Sequence, residues 1–297
     1  LNPELRHYLA DRRAAVEEAL DQYSACPGSP PRLVEAMRYS LLAGGKRLRP
    51  ILVIAAAEMF GLSAADVMPT ACALEMIHTY SLIHDDLPCM DDDDLRRGRP
   101  TSHKVFGEAM AVLAGDALLT RAFAVMAEQG RVERVGPARA LRAIAELAEA
   151  AGAAGMVGGQ VEDLEWEGRQ AGEEQLERIH SLKTGALFRA AVRLGGVLAG
   201  AAESDVARLD DFAAHFGLAF QIWDDVLDVA GDAALTGKGV GRDARQQKST
   251  YVTLHGLEGA QERARAAVQR ALEAIAPFGA NGWVLQGLAK YVVDRAT

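Results

Sequence analysis

The sequence predicts an all-α fold, a single bundle of long antiparallel helices around a central cavity. Three observations carry that expectation. Alanine is abundant while β-branched clusters are short. No hairpin signal separates alternating apolar runs. Apolar residues instead recur at the 3.6-residue spacing of helices in one segment after another.

Residues 3–23 are amphipathic and charged, and close at the turn-rich Cys26-Pro27-Gly28-Ser29-Pro30-Pro31. A helix over 32–43 runs into Gly44-Gly45-Lys46-Arg47-Leu48-Arg49-Pro50, and Pro50 suits the first turn of a helix over 51–60. Pro69 is expected to open the next helix in the same way. Its apolar-periodic stretch, 71–84, has no breaker until Pro88. Residues 109–129 are nearly all apolar and suit a central helix, and Gly130 and Pro137 bracket the connection to a helix over 138–151. Gly152, Gly155, Gly158 and Gly159 then thin a helical stretch. Each costs about 1 kcal/mol against alanine, and such small residues permit close packing or leave room for a ligand. Residues 173–198 read as one long helix and 204–229 as another. Residues 231–247 are Gly- and charge-rich, as a flap would be. Helices near 259–275 and 282–295 complete a chain with no linker, so 1–297 is expected to be one domain.

With 49% hydrophobic residues, the 297-residue chain can bury a sizeable core. A net charge of −9 argues against a nucleic-acid surface, which needs basic faces. Cys26, Cys72 and Cys89 have neither metal-ligand spacing nor the look of a disulfide framework, so a reducing cytoplasm is expected. No apolar run reaches transmembrane length and the polar opening lacks a signal-peptide pattern, so no stable membrane insertion is expected.

Much of the acidity is local. Asp85 to Arg99 reads Asp-Asp-Leu-Pro-Cys-Met-Asp-Asp-Asp-Asp-Leu-Arg-Arg-Gly-Arg. Charge runs are usually solvated loops, but this one follows an apolar helix whose C-terminal dipole disfavours anions. Two unit charges about 4 Å apart interact by roughly 4 kcal/mol at an effective dielectric of 20. A divalent cation among the carboxylates relieves that repulsion. Carboxylates are hard ligands for Mg²⁺ or Ca²⁺, and Mg²⁺ usually takes one or two of them plus substrate phosphates. The adjacent arginines are bidentate phosphate donors. Metal plus diphosphate is the reading.

A second cluster, Asp224-Asp225-Val226-Leu227-Asp228, ends the apolar helix through Phe220 and Trp223. Asp224 and Asp228 share a face. One such triplet is a weak signal, whereas two clusters that each end a buried helix are far stronger. The Gly44–Pro50 turn, read alone, is equally a basic inter-helix turn or an anion site. Lys183-Thr184-Gly185 interrupts an apolar helix, where Lys183 needs a charged partner. Lys238 and Lys248 lie on or beside the expected flap, where exposed lysine is ordinary. His78 and Gln221 on apolar helices are more often satisfied core residues than ligands. Tyr80 and Ser81, one turn before Asp85, read first as core packing.

Taken together, His78 to Arg97, Gly44 to Pro50, Lys183 to Ala186, Gln221 to Asp228 and Lys248-Ser249-Thr250-Tyr251 resemble the short-chain trans-isoprenyl diphosphate synthases, in order and spacing over nearly the whole chain. The four residues between the first aspartate pair and the next aspartate resemble the bacterial farnesyl and plant-type geranylgeranyl members. The resemblance implies a homodimer and a head-to-tail condensation of isopentenyl diphosphate with an allylic diphosphate. It implies that Asp85, Asp86 and Asp91 hold two Mg²⁺ ions and Asp224 a third, supported by Asp225 and Asp228. It places Arg96, Lys183 and Lys238 on the allylic diphosphate, with Lys248 beside the flap. Thr184 and Gln221 would face the cationic carbon, while Lys46, Arg49, His78 and Arg97 would hold isopentenyl diphosphate. Gln160 and Asp163 match a helix near the metals. Tyr80, fifth before the first aspartate, and its neighbour Ser81 would set chain length, and a bulky Tyr80 implies a fifteen-carbon product rather than a twenty-carbon one. Trp223 and Val252 depart from the family pattern without touching a metal ligand. A terpene cyclase usually replaces the second acidic motif and lacks the Lys46/Arg49 pair, and a non-catalytic partner subunit tends to lose one acidic motif.

Overall fold

A computed structural model describes residues 1–230 and 249–295. The expected flap, with Lys238 and Lys248, lies outside the described residues. The described chain is helical almost throughout. α1 spans Pro3–Tyr23, α2 Pro31–Leu41, α3 Leu48–Glu58 and α4 Ala64–Asp85. α5 (Ser102–Phe106) and α6 (Glu108–Ala127) follow the acidic loop. α7 (Gly136–Ala151), α8 (Met156–Trp166), α9 (Glu173–His180), α10 (Ala186–Ala199) and α11 (Glu203–Ala230) lead to α12 (Tyr251–Ile275) and α13 (Trp283–Asp294).

α4 is the central strut. Thirteen of its residues, from Val67 to Ile83, are buried, and it packs on α3, α6 and α1. It does not open at Pro69 as expected. It begins a turn earlier, because Ser63 and Asp66 form a reciprocal capping box. Pro69 then sits inside the helix, where it cannot donate a backbone hydrogen bond. Buried Gln129 bridges the disturbed turn: its Oε1 accepts from the Thr70 hydroxyl at 3.0 Å and its Nε2 donates to the Asp66 carbonyl at 2.6 Å.

Other departures have equally local causes. The expected helix over 173–198 is interrupted by a π-helical turn at Ser181–Gly185, a kind of insertion common at functional sites. α12 starts at Tyr251 rather than near 259, because Thr250 and Thr253 cap it; Gly256 (φ 70°) kinks it without ending it. A two-residue hairpin, β1 (Leu95–Arg96) with β2 (Arg99–Pro100), folds the acidic loop back on itself. Its turn, Arg97-Gly98, has both φ angles positive (53° and 74°), as tight hairpins require, although no apolar alternation announces it. Contrary to expectation, the 24-residue helical stretch Glu108–Arg131 is long and apolar enough to cross a membrane; one side of it packs on α4, while Val112 and Leu113 are exposed.

Candidate active site

The end of α4 and the loop after it form one wall. Backbone bonds from Asp91 to the Asp85 carbonyl (2.8 Å) and from Asp93 to the Asp86 carbonyl (3.2 Å) wind the loop tightly. The Thr101 hydroxyl, donating to the Asp93 carbonyl at 2.7 Å, fastens its far end. The hairpin thereby brings Arg96 back over Asp86. Arg96 Nε lies 2.8 and 2.9 Å from the two carboxylate oxygens, and Nη2 lies 2.6 Å from Oδ1. Asp86 is buried in this pair. Burial pulls the Arg96 pKa down, but Asp86, Asp85 and Asp93 outweigh it and leave the guanidinium more firmly charged than usual.

The second wall is built on the π turn and α11. Lys183 Nζ donates to Asp163 Oδ2 on α8 at 2.8 Å. Burial lowers the Lys183 pKa, yet Asp85, Asp163 and Asp91 together raise it above its ordinary value. Lys183 therefore feels carboxylates of the opposite wall as well as its own. Close packing makes this possible, since a Cβ on Gly159 of α8 would stand 2.2 Å from the Lys183 backbone nitrogen. One residue on, the Thr184 hydroxyl donates to Gln221 Oε1 (3.1 Å), and Gln221 Nε2 donates to Asp225 Oδ1 (3.2 Å). Asp225 Oδ2 accepts from the Tyr251 backbone N–H at 2.9 Å, so this buried carboxylate also anchors the start of α12. A cavity of about 140 Å³ lies along this chain, lined by Lys183, Thr184, Gln221, Asp225 and His180.

Asp224 faces elsewhere on α11. It is ion-paired with Arg295 at 2.7 Å, and Arg295 stacks over Phe220 at 4.3 Å. Trp223 is buried, its Nε1 donating to the Arg295 carbonyl at 3.4 Å, so this departure from the family pattern ties the chain end to α11. Asp228, one turn beyond Asp224, is half-buried.

A third group is cationic. Arg49 Nη1 lies 3.3 Å from His78 Nε2, and its guanidinium stands 4.5 Å over the Phe188 ring. Its Nε is shielded from solvent without a hydrogen-bond partner. Burial pushes the Arg49 pKa down to about 10, with Glu75 and Asp224 opposing and Arg97 assisting, so it stays charged at neutral pH. Burial, reinforced by Arg49, Arg97, Arg96 and Arg47, holds His78 well below the usual histidine range, so it is neutral. Arg97 donates from Nη1 to the Gly44 carbonyl, and its guanidinium would be 2.8 Å from any Cβ on Gly45. The Gly45 φ of 136° favours glycine there, and any larger residue would also have to displace that guanidinium. Lys46 stands at the solvent edge of this group; partial burial of its ammonium and Arg295 lower its pKa while Asp224 opposes them. Clustered, incompletely neutralised cations with a shielded donor are what a phosphorylated ligand needs.

A family model described as polyprenyl synthetase matches residues 30–277. The chain belongs to that family. The farnesyl diphosphate synthase of Bacillus subtilis (strain 168) is 48% identical over 291 residues, 98% of either chain. The geranylgeranyl diphosphate synthase of Cyanophora paradoxa is 45% identical over 295 residues, 99% of this chain and 97% of its own. The crystal structure of an FPP/GFPP synthase from Zymomonas mobilis superposes with a TM-score of 0.87 at 39% identity, covering 97% of this chain and 99% of its own.

The polyprenyl synthetase fold thus gathers most of the predicted residues: Asp85, Asp91, Asp163 and Lys183 across the cleft, Thr184, Gln221 and Asp225 in one hydrogen-bonded chain, Arg49, His78 and Arg97 in the cationic group. It separates others. Asp86 pairs with Arg96, and Asp224 with Arg295. Gln160 lies on α8 with its Nε2 shielded and unpartnered. Tyr80 is buried edge-on to His84 (5.7 Å), and the Ser81 hydroxyl donates to the His78 carbonyl at 2.9 Å. Among the described residues, no three His, Cys, Asp or Glu side chains converge to hold a metal by themselves. The carboxylates of Asp85, Asp86, Asp91, Asp224 and Asp225 are hard oxygen donors of the kind Mg²⁺ takes together with phosphate oxygen and water. Sequence reasoning missed Glu75, Arg295 and His180. Glu75 carried a signal, as a lone charge in an apolar helix.

Proposed function

We propose that the chain condenses isopentenyl diphosphate head-to-tail with dimethylallyl or geranyl diphosphate to give farnesyl diphosphate, with Mg²⁺ held by Asp85 and Asp91 on one wall and Asp224 on the other, Asp86, Asp225 and Asp228 supporting them. The observation that carries the reading is Lys183, bonded to Asp163 at 2.8 Å, with Asp85 and Asp91 also helping to hold its charge against burial. Such a cation between carboxylates marks where a diphosphate and its counter-ions fit.

The residues then divide the work. Arg96 and Lys183 hold the allylic diphosphate, and Arg49, His78, Arg97 and Lys46 hold isopentenyl diphosphate so that its double bond faces the allylic carbon. As the allylic C–O bond breaks, negative charge grows on the departing diphosphate, where fixed cations stabilise it most. Bound Mg²⁺ would supply further Lewis-acid stabilisation of that group. The Thr184 hydroxyl and Gln221 amide, their directions fixed by the bond between them, present oxygen to the allylic cation. The double bond attacks, and the resulting tertiary cation loses a proton to the departed diphosphate. Lys238 completes the grip on the allylic diphosphate, with Lys248 as a further substrate-binding residue. The buried ring of Tyr80 favours fifteen carbons over twenty. The enzyme works as a cytoplasmic homodimer.

Retention of both acidic motifs and of the Lys46/Arg49 pair supports this reading over a cyclase. The test is turnover of Asp85→Asn and Asp224→Asn at saturating Mg²⁺. Each is expected to lose at least about 100-fold in kcat, the scale of removing one fixed transition-state contact. Near-normal turnover in either would remove that carboxylate from the chemistry.

A further inference from the structure

Three basic residues stand in the turn from Gly44 to Pro50, and one of them leaves the cationic group. The Arg47 backbone is left-handed (φ 49°, ψ 37°), a conformation that side-chain-bearing residues rarely adopt and that persists where the surroundings enforce it. This reversal buries the Arg47 side chain completely, whereas Lys46 and Arg49 remain on the side of Asp224. All three guanidinium nitrogens are used: Nε donates to Glu17 Oε1 on α1 (3.0 Å), Nη1 to Glu75 Oε1 on α4 (2.8 Å), and Nη2 to the Leu41 carbonyl ending α2 (2.7 Å). One planar fork thereby bolts the turn to three helices, which a lysine's single ammonium cannot do with the same geometry.

Glu75 links this bolt to the site. It is buried on α4, three residues before His78, whose ring meets Arg49 at 3.3 Å. It is the foremost carboxylate sustaining the charges of Arg49 and Arg97, with Asp224 adding at Arg49 and Glu17 at Arg97. The Arg49–His78 contact therefore depends on how the turn sits against α4, and the Arg47–Glu75 pair sets that relation.

The geometry points to Arg47 as a positioning residue for the isopentenyl diphosphate subsite: held by Glu17, Glu75 and the Leu41 carbonyl, it fixes the turn so that Lys46 and Arg49 meet the diphosphate alongside His78. The inference rests on the proposed function for the identity of that ligand. The test compares Arg47→Asn, Arg47→Lys and Arg49→Ala by steady-state kinetics, varying isopentenyl and geranyl diphosphate separately. Asparagine tolerates the left-handed backbone, so Arg47→Asn removes the bolt and keeps the turn. The expected result is a roughly tenfold rise in KM for isopentenyl diphosphate, with kcat and the geranyl diphosphate KM within about twofold, the pattern of lost ground-state binding. Arg47→Lys should fall between it and the parent. Should Arg47→Asn fail to fold, Glu17→Gln loosens the more exposed limb and should raise the same KM about threefold. A lowered melting temperature with that KM unchanged in the Arg47 or Glu17 variants, while Arg49→Ala raises it, would overturn the positioning role alone. An unchanged KM in Arg49→Ala would overturn the assignment of the subsite itself.

Discussion

Neutral histidines sit among the charges of this site, and their state has a pH signature. His180, which ends α9 just before the π turn, packs at a tilt of 38° against Tyr251 at 5.6 Å, and burial brings its pKa down to about 4, with Asp163 opposing and Lys183 assisting. The unfolded chain takes up that proton near pH 6.5 and the folded chain only near pH 4. Stability is therefore full above about pH 6.5 and falls as pH drops through the window to about 4, by up to roughly 1.4 kcal/mol per pH unit for each such group. His78 acts in the same direction. His180→Phe keeps a ring against Tyr251 and removes one titration, so urea unfolding at several pH values between 7 and 4.5 should show a shallower acid decline. An unaltered slope would mean that His180 already carries its proton in the fold. At this scale the sequence disclosed residue types and not directions. Lys46, Arg47 and Arg49 look alike in the chain, and only the left-handed backbone at Arg47 separates a core bolt from two cleft cations. Likewise nothing in Asp-Asp at 85–86 indicates that one carboxylate looks across the cleft while the other takes Arg96.

Among the elements, helix identity was legible and helix termini less so, because caps and glycines compete. Pro69 resembled a start signal, yet the Ser63–Asp66 box outweighed it; the last-but-one helix was expected to start near 259, yet the Thr250 cap and the Asp225 carboxylate start α12 earlier. The π turn had no periodic signature, because it adds a residue to a helix whose apolar spacing otherwise continues. Its position depends on contact with α8. Gly159→Ala should therefore destabilise the fold by about 1–3 kcal/mol and lower turnover, as expected of overpacking against backbone. Gly172→Ala, at an open position with ordinary φ that caps α9, should cost under about 1 kcal/mol and leave turnover unchanged. Calorimetry and a turnover assay on the two variants decide the point. On α4, Tyr80 lies a little over one turn before Asp85, and a helical turn rises about 5.4 Å, a useful fraction of an isoprene unit. Tyr80→Ala is expected to shift products from fifteen toward twenty carbons by chromatography. An unchanged spectrum would take Tyr80 out of the specificity argument.

For the whole molecule, the bundle sets two charged walls opposite one another. α4 delivers carboxylates from one side, and the π turn with α11 delivers a lysine, an amide and a second acidic set from the other. α3 positions Arg49 beside α4, and the aromatic cluster of Phe188, Phe212, Phe216 and Phe220 joins α10 to α11. Its architecture was readable because each long helix buries a continuous apolar face, which periodicity reports directly. How the walls face one another was not, since crossing geometry rests on close approaches such as Gly195 against the Val53 carbonyl, where a Cβ would come within 2.5 Å. Whether these walls join two diphosphate-bearing substrates into one longer chain is decided by incubating the purified chain with radiolabelled isopentenyl diphosphate, geranyl diphosphate and Mg²⁺, then sizing the products. Label in a fifteen-carbon diphosphate, abolished by chelation and absent without the allylic partner, is the predicted result. Label remaining wholly in isopentenyl diphosphate, or a cyclic hydrocarbon formed from geranyl diphosphate alone, would contradict it.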